Sequence, residues 1–155
     1  MEGLERFVIA QDGRSSLNEG GKRFLLNQGD SYLDALEEIR NGCKRNHWIW
    51  YIFPQLKGLG HSYNSNYYGI ADIEEAKSYL KHSVLGTRLR EITDVFLCLP
   101  EGKTAREILG SIDAVKVKSS MTLFYMASKE PLFLDVINRY YEGKLDERTI
   151  KLLSI

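Results

Sequence analysis

Hydrophobic positions recur at helical spacing along most of this chain. Leu4, Phe7 and Val8 predict a short helix over residues 3–11. Residues 12–29 break the pattern: Gly13, Gly20-Gly21 and Gly29 punctuate it, and Phe24-Leu25-Leu26 is its one apolar cluster, so it reads as a loop clipped to the body by those three side chains. Asp30 or Ser31 then caps a helix whose stripe is Leu33, Leu36 and Ile39 and whose end is Gly42. The run Trp48-Ile49-Trp50-Tyr51-Ile52-Phe53 is apolar throughout. It fits a buried strand or a buried helical turn equally, and Pro54 stops it either way. Residues 55–66 are polar and glycine-rich, the pattern of a loop.

The second half is more regular. Asp72 and Glu75 have capping-box spacing ahead of Ala76, Tyr79 and Leu80. Ser83 is placed to cap the next helix, where Leu85, Leu89, Ile92, Phe96 and Leu99 form the clearest stripe in the chain before Pro100. Thr104 and Glu107 repeat the capping box, and Gly110 ends that short helix. Asp113 is expected to cap a helix running to about Ser128, with Val117, Met121 and Phe124 inward. Pro131 opens a further helix carrying Phe133, Ile137 and Tyr140 up to Gly143, and Asp146 starts a last one with Ile150 and Leu153. The sum is an all-α domain over residues 1–155: a compact array of about eight short helices with an irregular N-terminal region.

Composition narrows the function classes. Hydrophobic residues make up 43% of 155 positions, enough for one core, and nine Tyr, six Phe and two Trp argue against disorder. The formal net charge is zero, which gives no long-range pull toward nucleic acid. Cys43 and Cys98 are too few for a disulfide framework. The opening Met1-Glu2-Gly3-Leu4 lacks the pattern of a secretion signal, and no apolar stretch is long enough to span a bilayer; the expectation is a cytoplasmic protein without membrane contact.

Four blocks occur in a distinctive order. They are His47-Trp48-Ile49-Trp50-Tyr51-Ile52-Phe53-Pro54-Gln55-Leu56 with Gly58-Leu59-Gly60; Tyr68-Gly69-Ile70 leading to Glu75-Ala76 and Tyr79-Leu80; Leu85-Gly86 with Arg88-Leu89; and Asp113, Lys116 and Ser119-Ser120-Met121-Thr122-Leu123-Phe124. Together they resemble the family known as "domain of unknown function 1810", over roughly residues 30–153. The resemblance implies the mainly helical fold of the family's mycobacterial members and no established activity. Relative to that family, residues 13–29 read as an insertion. Some members carry the label calpastatin, but inhibitors of that kind are disordered, unlike this aromatic-rich, periodic chain.

Two constellations are candidates for binding. In the first, His47, Trp48, Trp50 and Gln55 precede Gly58 and Gly60, with Ser62 and Tyr68 behind. Aromatic faces beside a flexible loop suit a planar ligand, while the structural alternative makes the same aromatics core. Gly58-x-Gly60 alone is a weak phosphate signal, since it lacks a third glycine and a clear preceding strand. In the second, Lys116, Lys118, Ser119, Ser120 and Thr122 form an anion clamp, a base–nucleophile pair or tight helix contacts, or else the helix breaks at Ser119, which then caps a new helix whose free N–H groups hold an anion. Arg88, at the edge of its stripe, is either an inter-helix ion-pair residue or a grip for phosphate. Cys43 and His47 sit four apart, but no second pair accompanies them, so no metal site is expected; no cofactor is specified. If the two constellations meet in space, the expected ligand is an anionic planar small molecule, nucleotide or ADP-ribose-like, with an enzymatic role left open. The competing expectation is a non-catalytic helical interaction module, with residues 13–29 as a contact or self-association arm.

Overall fold

The computed structural model describes residues 3–13, 16–17, 23–24 and 29–154. Its helices are α1 (Glu5–Gln11), α2 (Tyr32–Arg40), α3 (Ile49–Ile52), α4 (Tyr63–Tyr67), α5 (Ile73–Lys81), α6 (Leu85–Leu97), α7 (Ala105–Leu109), α8 (Ser111–Ser128), α9 (Pro131–Tyr140) and α10 (Glu147–Leu153). Two-residue strands β1 (Ser16–Leu17) and β2 (Arg23–Phe24) pair antiparallel between α1 and α2, where a loop was expected. Among the described residues the fold is all-α apart from this ribbon. The expected clip through the Phe24-Leu25-Leu26 side chains, and the arm built on residues 13–29, lie outside the described residues.

Helix α8 is the axis of the molecule. It packs against α3, α5, α7, α9 and α10. Its residues Ser119 through Phe124 are buried on every side, so this stretch has no polar face, as a helix surrounded by others requires. Phe124 meets Tyr79 of α5 and Phe133 of α9 at ring-centroid distances of 5.3 and 6.0 Å. Burying one such side chain contributes roughly 1.5–3 kcal/mol. Among the described residues, no helix is long and apolar enough to cross a membrane.

Several helix ends differ from expectation, each for a local reason. In α2 the inner position goes to Tyr32, whose hydroxyl donates to the Glu91 carboxylate of α6 at 2.5 Å, while Leu33 points outward and is 73% exposed. Ser31, not Asp30, caps that helix in a reciprocal box with Asp34. Ser83 does not cap α6: the N–H groups of Val84 and Leu85 both donate to His82 Nδ1 at 3.1 Å. Asp113 lies within the first turn of α8 rather than ahead of it, because Gly110, at φ +90°, both ends α7 and opens α8. The stretch 55–66 also holds the start of α4, capped by Ser62, whose hydroxyl accepts from the Ser65 N–H.

Candidate functional site

The geometry of the site starts at Pro54, which ends the apolar run after α3. The chain then makes a single parallel bridge between Leu56 and Ile70: Ile70 N donates to Gln55 O and Lys57 N to Ile70 O, both at 2.8 Å. These bonds fix both ends of a protruding excursion, residues 57–69. Within it, Gly58 adopts φ +106°, a conformation that favours glycine. Arg148 of α10 reaches across to donate from Nη2 to the Leu59 carbonyl at 2.8 Å.

Between this loop, α3, the N-terminal half of α8 and α10 lies a cleft of about 380 Å³. Its walls include Trp50, Gln55, Leu59 and Gly60 on one side and Ile112, Val115, Lys116 and Ser119 on the other, with Arg148 at the edge. Trp50, Gln55 and Gly60 of the first constellation and Lys116 and Ser119 of the second therefore line one hollow, and the other candidates do not. Among the described residues no carboxylate lines it, and Lys116 and Arg148 supply two positive charges. Arg148 makes no ion pair among the described residues, and the half-buried Gln55 carboxamide has no hydrogen-bond partner among them.

Lys116 holds its ammonium 3.9 Å from the centre of the Trp50 ring and 3.3 Å from Asp113 Oδ1. The other oxygen of Asp113 holds Lys44 at 2.8 Å, and Lys44 in turn lies 4.8 Å from the Trp48 ring. One carboxylate thus ties two lysines, each against its own tryptophan. Ser119 Oγ lies 3.2 Å from the Val115 carbonyl and 3.1 Å from Asp146 Oδ2, so its hydroxyl is engaged within the scaffold rather than with Lys116.

The remaining candidates lie elsewhere. Trp48 is fully buried, with its Nε1–H donated to Glu38 at 2.9 Å. Burial pushes the Glu38 carboxylate up, but bonds from the Arg45 N–H, the Asn46 side chain, Trp48 and the Asn46 N–H together hold it below its ordinary value. His47 is exposed, and its backbone N–H donates to Asp30 at 3.0 Å. Gly58 and Ser62 serve the loop turn and the α4 cap. Tyr68 sits behind Trp50 and Gln55, lining a void of about 10 Å³ below Leu59. Burial, then the neighbouring Tyr67 and Tyr63, push its hydroxyl up to about 12. Arg88 pairs with Asp12 at 2.8 Å, joining α6 to the end of α1. Ser120 is buried with no partner for its hydroxyl among the described residues, and Thr122 donates to Lys118 O and accepts from the Asp146 N–H. Arg148, Ile112 and Val115 were not anticipated; the Arg lies 32 positions from Lys116, and no local pattern marks it.

The model of a family of proteins of unknown function, DUF1810, matches residues 18–153. The chain belongs to DUF1810. Its structure is similar to the crystal structure of the conserved hypothetical protein Rv1873 from Mycobacterium tuberculosis, at 40% identity and a TM-score of 0.83, covering 98% of this chain and 96% of that one. No curated protein matches. Neither the DUF1810 description nor that of Rv1873 names a substrate. The cleft thus combines an aromatic and aliphatic wall, a carboxamide without a hydrogen-bond partner among the described residues, Arg148 and a Lys116 shared between Asp113 and the Trp50 ring.

Proposed function

We propose that this DUF1810 chain binds an anionic planar small molecule, of nucleotide or ADP-ribose type, in the cleft between the Trp50–Gly60 segment and α8. The observation that carries this reading is the charge balance of the cleft: Lys116 and Arg148 line it and, among the described residues, no carboxylate does, although the chain as a whole is neutral. Gln55 adds a donor and an acceptor suited to the edge of a heterocycle. Binding rather than catalysis is favoured, because Ser119 is turned to Asp146 and no base–nucleophile pair gathers in the cleft. Free thiols at Cys43 and Cys98 suit the reducing cytoplasm, where such metabolites occur.

Calorimetry with AMP, ADP, ADP-ribose and NAD tests the reading. At least one is expected to bind in the micromolar range, and Arg148→Met to weaken it about tenfold or more, since a hydrogen bond to a charged group contributes roughly 1.5–3 kcal/mol. Silence from the whole panel, with no thermal shift, overturns the proposal.

One observation favours a second reading. Ile112 and Val115, three apart on α8, are 71% and 57% exposed beside the cleft. An interaction module would use this apolar face, with residues 13–29 as the contact arm. Light scattering distinguishes the readings: deletion of residues 13–29, or Ile112→Glu with Val115→Glu, would change the mass in solution for a self-associating module and leave it unchanged for a monomeric binder.

A further inference from the structure

The ammonium of Lys116 occupies the surface that a planar ligand needs. Lys116 and Trp50 both line the cleft, and the ammonium lies 3.9 Å from the centre of the ring, over its face. Cation–π attraction holds it there. Its second tie, to Asp113 at 3.3 Å, is longer than the 2.8 Å bond between Asp113 and Lys44. If Lys116 moves away, Lys44 still neutralises Asp113. The side chain can therefore leave without stranding a half-buried carboxylate, which is the usual obstacle to breaking such a pair.

We infer that Lys116 is an internal plug of the cleft, lying on Trp50 in the resting protein and yielding that ring face only to a ligand that brings its own negative charge. This rests on the ligand-binding reading above and deepens it by assigning the selectivity. A neutral ring that displaces the ammonium removes its aromatic partner and offers no counterion in return. A nucleoside phosphate or heteroaromatic carboxylate displaces it and then pairs with it. The ligand class is thus the aromatic anion, and the uncharged nucleoside is rejected by the same residue that grips the charged one. Selectivity of this kind arises as much from a penalty on the wrong partner as from attraction to the right one.

The experiment compares AMP with adenosine on the wild type, Lys116→Ala and Lys116→Gln. Wild type is expected to bind AMP and to bind adenosine at least tenfold more weakly. Uncovering the ring in Lys116→Ala is expected to weaken AMP about tenfold and to strengthen adenosine about threefold to tenfold, so the two ligands move in opposite directions. A simple anion hook predicts no gain for adenosine. If AMP binds the wild type and adenosine is not strengthened in either variant, the plug is overturned and the binding reading stands. If AMP does not bind at all, the plug falls with it. A ligand-free measurement checks the same contact: Trp48 is sealed in the core, so acrylamide quenching reports Trp50, and its slope is expected to rise in Lys116→Ala. An unchanged slope in a variant with wild-type melting also overturns the plug.

Discussion

Two tryptophans, two residues apart, occupy opposite kinds of surroundings. Trp48 is sealed: its indole N–H is bonded to Glu38, the same carboxylate collects the Arg45 and Asn46 N–H groups and the Asn46 amide, and its ring has a lysine beside it. Trp50 also has a lysine on its ring, yet it stands half-exposed in a cleft with an unengaged carboxamide as neighbour. Asp113 joins the two regions by holding both lysines. Around Trp48 the indole N–H, the Asn46 amide and the Arg45 and Asn46 backbone N–H groups all end on Glu38, which is what a scaffold requires. Around Trp50 the Gln55 carboxamide has no hydrogen-bond partner among the described residues, and Arg148 no ion pair, which leaves groups free for a ligand.

The largest expected difference between these regions is in stability. Trp48→Ala leaves a buried cavity and removes one of the four donors to Glu38 and should cost about 4 kcal/mol, whereas Trp50→Ala should cost less than half of that. Urea unfolding measures both, and equal losses would dissolve the contrast. Next in size is Glu38→Gln, expected to cost about 2 kcal/mol at neutral pH, because an amide nitrogen then faces donors that the carboxylate had accepted. The folded Glu38 has a lowered pKa, so its contribution is full above the ordinary carboxylate value and fades as pH falls from about 4.3 through the lower folded value. Urea midpoints of wild type and Glu38→Gln should therefore converge in acid; midpoints that stay apart would show that the hydrogen bonds do not depend on the charge. The smallest stability effect is expected at Gln55→Ala, within about 0.5 kcal/mol of wild type, while affinity for the best nucleotide falls several-fold. A stability loss as large as that of Glu38→Gln would move Gln55 from the site to the scaffold.

The stripes of α6 and α9 were legible because apolar residues at helical spacing can be buried in one way. Capping at Thr104 and Asp72 was legible because a side-chain oxygen three residues ahead of an N–H has a short list of uses. Trp48 and Trp50 look alike in sequence, and only the arrival of Glu38 from α2 separates them. Leu33 satisfied the periodicity of α2, but Tyr32 combined ring burial with a hydroxyl partner on α6 and took the inner position. Asp113 resembled a cap and became a bridge, since the lysine it holds from residue 44 is brought near only by the tertiary fold. Arg148 escaped notice for the same reason: its role is set by a carbonyl 89 residues away.

Residues 57–69 are tied to the body at both ends and, through the Leu59 carbonyl, to Arg148. The Leu56–Ile70 bridge closes their base, and the buried Arg6 donates to the carbonyls of Tyr67 and Gly69 at 2.7 and 2.9 Å from outside the excursion. Both roots are thus anchored independently of the tip, where His61 and Tyr63 are exposed. A protease cutting at the tip would produce two fragments that remain docked and co-migrate until denatured, and the severed chain would retain its helical core.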